Sequence, residues 1–353
     1  MRGQRLDAAV LTSPHALRYY TGFTGSHGLA VVRPSGAWFL TDGRYREQIA
    51  GEVRGVRRIV AAGDLAAAAG ARKLLEGCPR AGIEERSVTV ALLRALRRAA
   101  PRTRMVPASD AVEAPMLRKD PSEIASLRRA IRISERVFGE VFGLLRPGVT
   151  ERDIAAAICA RQRQLGADRE AFEPIVASGP RSALPHARAT ARRLRTGEPV
   201  LLDFGCVVDG YHADLARTVA VGRSPRRLRE LHAAVLDAHA AACEAVRPGA
   251  TGADVDAAAR GVLRRAGLDR RFVHALGHGL GLRLHEGPRL GARSADVLEE
   301  GAVVTVEPGV YIPGFGGVRI EDDILVTSGG HEVLTDAVPK EIDALEALRT
   351  AAA

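Results

Sequence analysis

Several acidic side chains in this sequence stand among apolar residues that offer them no partner. The run 200–208 has the composition of a buried strand, yet Asp203 sits in its middle. Burying an unpaired carboxylate costs several kcal/mol, so Asp203 needs a cation or a protein partner. Past the turn at Asp209 and Gly210 comes Asp214, and an antiparallel hairpin would set the two acids side by side. Adjacent carboxylates repel unless a metal ion or a shared proton lies between them. The competing reading pairs Asp214 with Arg217. Further on, His278 and His285 lie around a glycine-rich turn in 276–286, where the missing Lys-Ser/Thr argues against a phosphate loop. Glu307 falls in an apolar strand over 303–311 that ends at Pro308 and Gly309, and Glu321 falls among β-formers in 317–326. A lone histidine is more often structural than a ligand, but two downstream of an acidic hairpin shift that balance. Asp203, Asp214, His278, Glu307 and Glu321 form a hard, oxygen-rich set that favours manganese or a similar divalent ion over structural zinc.

Folded elements must position these groups, and 353 residues with 46% hydrophobic content suffice for a sizeable core in two domains. The first part alternates strands at 8–11, 29–32 and 37–40 with helices at 66–75 and 90–99, an α/β pattern. A polar segment with two prolines, 115–121, then precedes a long helical pattern over 122–145. The boundary falls there, giving one domain over 1–120 and a second over 121–353. The second part repeats itself: Arg146-Pro-Gly-Val-Thr-Glu-Arg-Asp-Ile aligns with Arg247-Pro-Gly-Ala-Thr-Gly-Ala-Asp-Val, and the match runs on to Gly166 and Gly267. In each copy a helix stops at Pro-Gly. Thr150 or Thr251 caps the next helix, with Asp153 or Asp254 three residues on, and a glycine ends it. Two such helix–helix–strand halves, related by a pseudo-two-fold, put a site at their join. Chance likeness among Ala/Arg-rich helices is the competing account.

Bulk properties narrow the function classes. No stretch approaches the roughly 18 uninterrupted apolar residues of a membrane span, so no membrane role is expected. Residues 1–14 show no apolar core followed by small residues, so no signal peptide is read there. Cys78, Cys159, Cys206 and Cys243 form no CxxC pair and suit reduced thiols of a cytoplasmic protein. The net charge of +9 raises the question of nucleic acid. Lys73, Lys119 and Lys340 are the only lysines among 51 basic residues, so the excess is arginine, spread along the chain. The densest groups, Arg192, Arg193 and Arg195, and Arg226, Arg227 and Arg229, lack the interleaved aromatics of a single-strand binder, and no nucleic-acid partner is expected.

The motifs carry a resemblance. Val176-Ala-Ser-Gly-Pro with Pro185-His186, Leu202-Asp-Phe-Gly with Asp214-Leu-Ala-Arg-Thr218, Gly277-His-Gly-Leu-Gly with His285-Glu286, Val306-Glu-Pro-Gly and Val318-Arg-Ile-Glu-Asp resemble the pita-bread metallopeptidases. Within them, they are most similar to the proline-specific branch, Xaa-Pro aminopeptidase (aminopeptidase P) and Xaa-Pro dipeptidase (prolidase). Tyr20-Thr-Gly-Phe-Thr-Gly-Ser26 and Thr41-Asp-Gly-Arg-Tyr45 resemble the creatinase-type N-terminal domain of the same proteins, so the likeness covers essentially the whole chain. It implies an α/β creatinase-type domain followed by an α+β pita-bread catalytic domain with an internal pseudo-two-fold repeat.

The resemblance also implies roles. Asp203 would bind the first of a pair of divalent ions, His278 and Glu307 the second, while Asp214 and Glu321 would bridge. Manganese is the favoured ion, with cobalt or zinc as alternatives. His186 and His285 would face the substrate and stabilise the oxyanion, Glu307 would carry the proton to the leaving nitrogen, and Arg319 would stand behind the ligands. Ala216 and Ala213 depart from the threonine and serine usual beside the bridging aspartate. The implied activity is metal-dependent cleavage of Xaa-Pro bonds at peptide N-termini, with proline in the second position. The phrase Thr-Gly-Phe-Thr-Gly-Ser favours the aminopeptidase over the dipeptidase. In the dipeptidase, Arg289 or Arg293 would meet the free carboxylate. Methionine aminopeptidase resembles only the second domain, creatinase is metal-free, and non-catalytic pita-bread binding proteins typically lose ligands that are intact in this chain. A homodimer is expected from the N-terminal domain.

Overall fold

The computed structural model describes residues 5–351, so the first four and last two residues of the expected domains lie outside the described residues. The chain divides into two compact units, Met1–Met116 and Leu117–Ala353.

The first unit is a six-stranded mixed sheet ordered Arg57–Ala61, Gly36–Asp42, Leu29–Arg33, Ala8–Leu11, Arg80–Ile83, Arg104–Pro107. Chain length between strands decides their direction. Only Pro34 and Ser35 separate Leu29–Arg33 from Gly36–Asp42, which pair antiparallel, whereas the parallel neighbours are linked through helices such as Arg46–Glu52 and Val90–Ala99. Both faces are covered. Ala8 and Val10 pack with Leu65, Ala69 and Leu96, while Ala9 and Leu11 pack with Leu17, Phe23 and Ile49. The three strands not anticipated each begin with arginine and are short, which hides them in the sequence. The helix expected over 66–75 is Leu65–Ala71. The chain then turns through Lys73, at φ 53°, and brings Leu74 and Leu75 into the core.

In the second unit the repeat is a repeat of structure. Thr150 and Thr251 share φ −90° and ψ 156°, and each closes a capping box, with Asp153 or Asp254, on the helices Glu151–Gln164 and Gly252–Arg265. Longer helices, Pro121–Phe142 and Arg226–Ala245, precede them, and each half buries its own core. The first half contributes the three-stranded sheet Leu215–Ala220, Pro199–Phe204, Ile175–Ser178. The second contributes the five-stranded sheet Glu286–Leu290, Gly277–Gly279, Val303–Val306, Asp322–Thr327, Gly330–Val333. They join where the Glu321 amide donates to the Ala216 carbonyl at 3.0 Å and the Arg319 amide to Thr218 Oγ1 at 3.0 Å.

The strand expected over 200–208 breaks at Gly205, where a Cβ would lie 1.6 Å from the Ala213 carbonyl oxygen. Glu307 and Glu321 sit at strand breaks, while His278, in the short strand Gly277–Gly279, and His285 lie on either side of the glycine-bearing bend, as expected. The pairing of Asp214 with Arg217 does not form. Along an extended strand successive side chains alternate in side, so Arg217 points away from Asp214. Its guanidinium, fully buried, donates to the carbonyls of Ala216, Glu321, Val338 and Pro339 and to Asp322 Oδ1 at 2.8 Å. Burial alone would raise the Asp322 carboxyl, but Arg217, His239 and Lys340 hold it well below the usual range. Arg217→Leu leaves Asp322 short of its main counter-charge and several carbonyls without donors. The expected loss of stability is about 3–5 kcal/mol, read from urea unfolding midpoints; an unchanged midpoint contradicts this account.

Candidate active site

The hairpin Pro199–Phe204 with Leu215–Ala220 places Ala216 directly across from Asp203. Asp214, two residues before Ala216, is therefore the diagonal neighbour of Asp203 on the same side of the chain. Glu321 reaches them because its own backbone bridges to Ala216. Asp203, Asp214 and Glu321 each offer a carboxylate oxygen, and these oxygens lie within 4.8 Å of one another. All are buried, at 5%, 5% and 2% exposure, too little for water to screen their repulsion. His278 and Glu307 complete the group. His278 Nε2 lies 3.8 Å from Asp214 Oδ2 and 3.6 Å from Glu307 Oε1. The tautomer follows from chemistry: Nδ1 sits 3.0 Å from the Gly279 carbonyl, which can only accept, so Nδ1 carries the hydrogen and Nε2 presents its lone pair to the acids.

The electrostatics are those of crowded acid. Burial first, then the charges of Asp203, Asp323 and Glu307, push the Asp214 carboxyl well above its usual range. Burial and the charge of Asp214 do the same to Glu321. Burial lifts Glu307 to about 8 against the opposing charge of Arg319, and burial raises Asp203 despite the same arginine. Burial lowers His278 to about 4, so it is neutral near pH 7. Such a set fits a divalent cation. The acids are destabilised as anions, Asp203 Oδ1 is buried with no hydrogen-bond partner, and a neutral imidazole faces them.

Arg319 is the cation the protein itself supplies. It donates Nη2 to Asp203 Oδ2 and Nη1 to Tyr311 Oη at 2.9 Å and to the Pro185 carbonyl at 3.1 Å. Tyr311 Oη in turn meets His274 Nε2 at 2.8 Å. Burial holds the Tyr311 hydroxyl up at about 12 and lowers His274 to about 4, so this relay is neutral except for the arginine. His274, Tyr311 and Asp323, whose Oδ2 accepts from the Asp214 amide at 3.1 Å, escaped the sequence reading. The signal available for His274 was its position four residues before His278.

His186 and His285 differ from the buried acids in their exposure. Both are exposed, while their charges act on Asp203, and that of His186 also on His285. The His285 ring lies 4.2 Å from the His278 ring, centroid to centroid, at an interplanar angle of 75°. Burial lowers the His285 imidazole, and the charges of His186, Arg283 and Arg289 lower it further. The next residue, Glu286, is anchored by the buried ammonium of Lys119 at 2.5 Å.

Comparison with known proteins supplies the family. Residues 125–328 match the model of metallopeptidase family M24, and residues 1–115 match the creatinase/prolidase N-terminal domain. An uncharacterized peptidase of Bacillus subtilis is 40% identical over 96% of this chain and 95% of its own length. The solved Xaa-Pro dipeptidase from Bacillus anthracis superposes with a TM-score of 0.93 at 39% identity, covering 97% of this chain and 96% of that one. The X-Pro aminopeptidase from Thermotoga maritima gives 0.89 at 35% identity, covering 96% and 99%. Two matched domains, the paired helix–helix–strand halves and the buried acids at their join lead to one assignment. The chain belongs to metallopeptidase family M24, with a creatinase/prolidase N-terminal domain ahead of a pita-bread catalytic domain.

Proposed function

We propose that the chain hydrolyses the bond between an N-terminal residue and a following proline, with the dipeptide Xaa-Pro as its preferred length. The observation that carries the hydrolysis is the gathering of Asp203, Asp214, His278, Glu307 and Glu321 around one buried point. In this reading the catalytic domain spans 121–353, and all of these groups belong to it. The five residues would hold a pair of divalent cations, manganese first, which supply Lewis acidity and an activated water. Arg319 fixes the direction of the Asp203 carboxylate. Glu307 takes the proton released as water attacks and hands it to the proline nitrogen as the C–N bond breaks. His186 and His285 donate hydrogen bonds to the carbonyl oxygen as it gains charge, and their exposure beside buried acids supports that division of labour. The four free cysteines support a reducing, cytoplasmic setting.

The choice of the dipeptide reverses the preference drawn from the N-terminal phrase. Its support is the dipeptidase name of the Bacillus anthracis relative, together with Arg289, which is exposed and whose charge reaches His285. A guanidinium there suits the free carboxylate of a C-terminal proline. The aminopeptidase remains the second reading, supported by the Thermotoga maritima relative.

Chelation is expected to abolish hydrolysis and manganese to restore it, and Asp214→Asn or Glu321→Gln to cost several orders of magnitude in kcat with the fold intact. His186→Ala and His285→Ala are expected to lower kcat while metal content, measured by mass spectrometry, stays at the level of the unmodified protein. Loss of metal in either histidine variant contradicts a substrate-facing role for that histidine. For length, kcat/KM on a matched Xaa-Pro and Xaa-Pro-Yaa pair is expected to favour the dipeptide by about 10–100-fold, the size of one charge-assisted hydrogen bond of about 1.5–3 kcal/mol, and to lose that preference in Arg289→Ala. Faster tripeptide cleavage selects the aminopeptidase. We also propose a homodimer, from the creatinase-type domain; light scattering that gives the monomer mass at working concentration excludes it.

A further inference from the structure

We propose that Glu151 is a positioning residue for His186, clamping both ends of the loop that carries the histidine; this rests on the reading of His186 as a substrate-facing group. Glu151 is the first residue of its helix and is fully buried. Nothing in the proposed chemistry uses it, yet a buried carboxylate is costly unless its oxygens are filled. They are filled entirely from one loop. Oε1 accepts from the Ser178 amide at 2.8 Å and the Ser178 hydroxyl at 2.8 Å. Oε2 accepts from the Thr190 amide at 3.0 Å, the Thr190 hydroxyl at 2.7 Å and Arg181 Nε at 3.2 Å. Ser178 ends the strand before His186, and Thr190 follows it. Arg181 closes the loop internally, with its Nη2 on the Arg188 carbonyl at 2.6 Å.

The far side of the same loop touches the active site. Ser182 Oγ accepts from the Gly317 amide at 2.8 Å, and the carbonyl of Pro185, the residue before His186, accepts from Arg319. The histidine itself is exposed, so little packing fixes it, and its placement depends on where the loop is tied. Burial works to raise the Glu151 carboxyl, but the bonds from Thr190 and Ser178 outweigh it and hold it below the usual range, so the clamp is charged at neutral pH. The repeat gives an internal control. Glu151 corresponds to Gly252 in the second half, and the flanking backbone bonds correspond too: Glu151 and Gly252 amides donate to Arg192 and Asp296 carbonyls, each at 2.9 or 3.0 Å. At Gly252 a Cβ would lie 1.9 Å from the Arg289 carbonyl oxygen, so that half presses its chain directly onto the helix start. In the first half the Glu151 side chain makes the connection instead.

Glu151→Gln keeps the shape but turns an NH2 toward amide and hydroxyl donors. Compared with the unmodified protein on an Xaa-Pro dipeptide, kcat is expected to fall roughly 10–100-fold, as for a misplaced catalytic group, with KM and metal content unchanged. Hydrogen exchange in 178–190 is expected to accelerate. In the double variant with His186→Ala, kcat is expected to equal that of His186→Ala alone, because the clamp acts through the histidine. Multiplicative losses, or unchanged exchange in the loop, overturn the clamp while leaving the role of His186 standing. Unmodified kcat in His186→Ala overturns that role and the clamp with it. Should Glu151→Gln fail to fold, Thr190→Val removes one of the five bonds and is expected to show the same signs at smaller size, with no loop effect again counting against the clamp.

Discussion

Mutual repulsion among carboxylates in a place water does not reach is the constraint on which this structure turns. Burial raises the proton affinity of Asp203, Asp214, Glu307 and Glu321, the charge of Asp203 adds to it at the other three, and Asp323 adds to it at Asp214. Left as anions without a counter-charge they would drive the surrounding chain apart, because burial removes the dielectric screening that makes surface acids harmless. The Arg319 guanidinium offsets part of that repulsion, and the carboxylate oxygens of Asp203, Asp214 and Glu321 lie close enough together to hold a metal ion. A need for added positive charge is thus written into the electrostatics of these buried acids.

Holding such a cluster requires a frame whose parts meet at fixed register. The frame is built by duplication: identical caps at Thr150 and Thr251 start equivalent helices, and each half delivers a sheet to the common centre. The backbone bridge between Ala216 and Glu321 sets the two sheets in register, and Arg217 locks it by gripping the carbonyls of both residues. Ala216 lies directly across from Asp203 and is fully buried, so the departure from threonine removes a hydroxyl at the bridge without opening the site to solvent.

The basic composition has a structural explanation. Arginine does much of the internal tying in the second unit: Arg181, Arg192, Arg217, Arg260 and Arg319 each donate to carbonyls or carboxylates from other elements. A planar fork with several donors can join several segments at once, which a single ammonium cannot. Lysine is kept at Lys119 and Lys340, where one point charge meets Glu286 or Asp322.

The sequence by itself determined the α/β and pita-bread architecture, the repeat, and the residues that form the buried acid cluster. The pita-bread fold was carried by the resemblance of its motifs, and the rest is signalled locally: apolar runs and helix caps mark elements, and a charge inside an apolar run marks a group in need of a partner. Helix Val90–Ala99 and strand Ala8–Leu11 were legible to the residue for that reason, while the arginine-led strands of the first unit gave no alternation to read. Which partner each charge takes was decided only by the tertiary structure. Arg217 stands near Asp214 in sequence but bonds Asp322, Glu151 looks like an ordinary first-turn acid yet closes the His186 loop, and His274 joins Arg319 through Tyr311. Those contacts depend on strand register and on which side of the backbone a side chain leaves, and both are fixed only when distant segments pack.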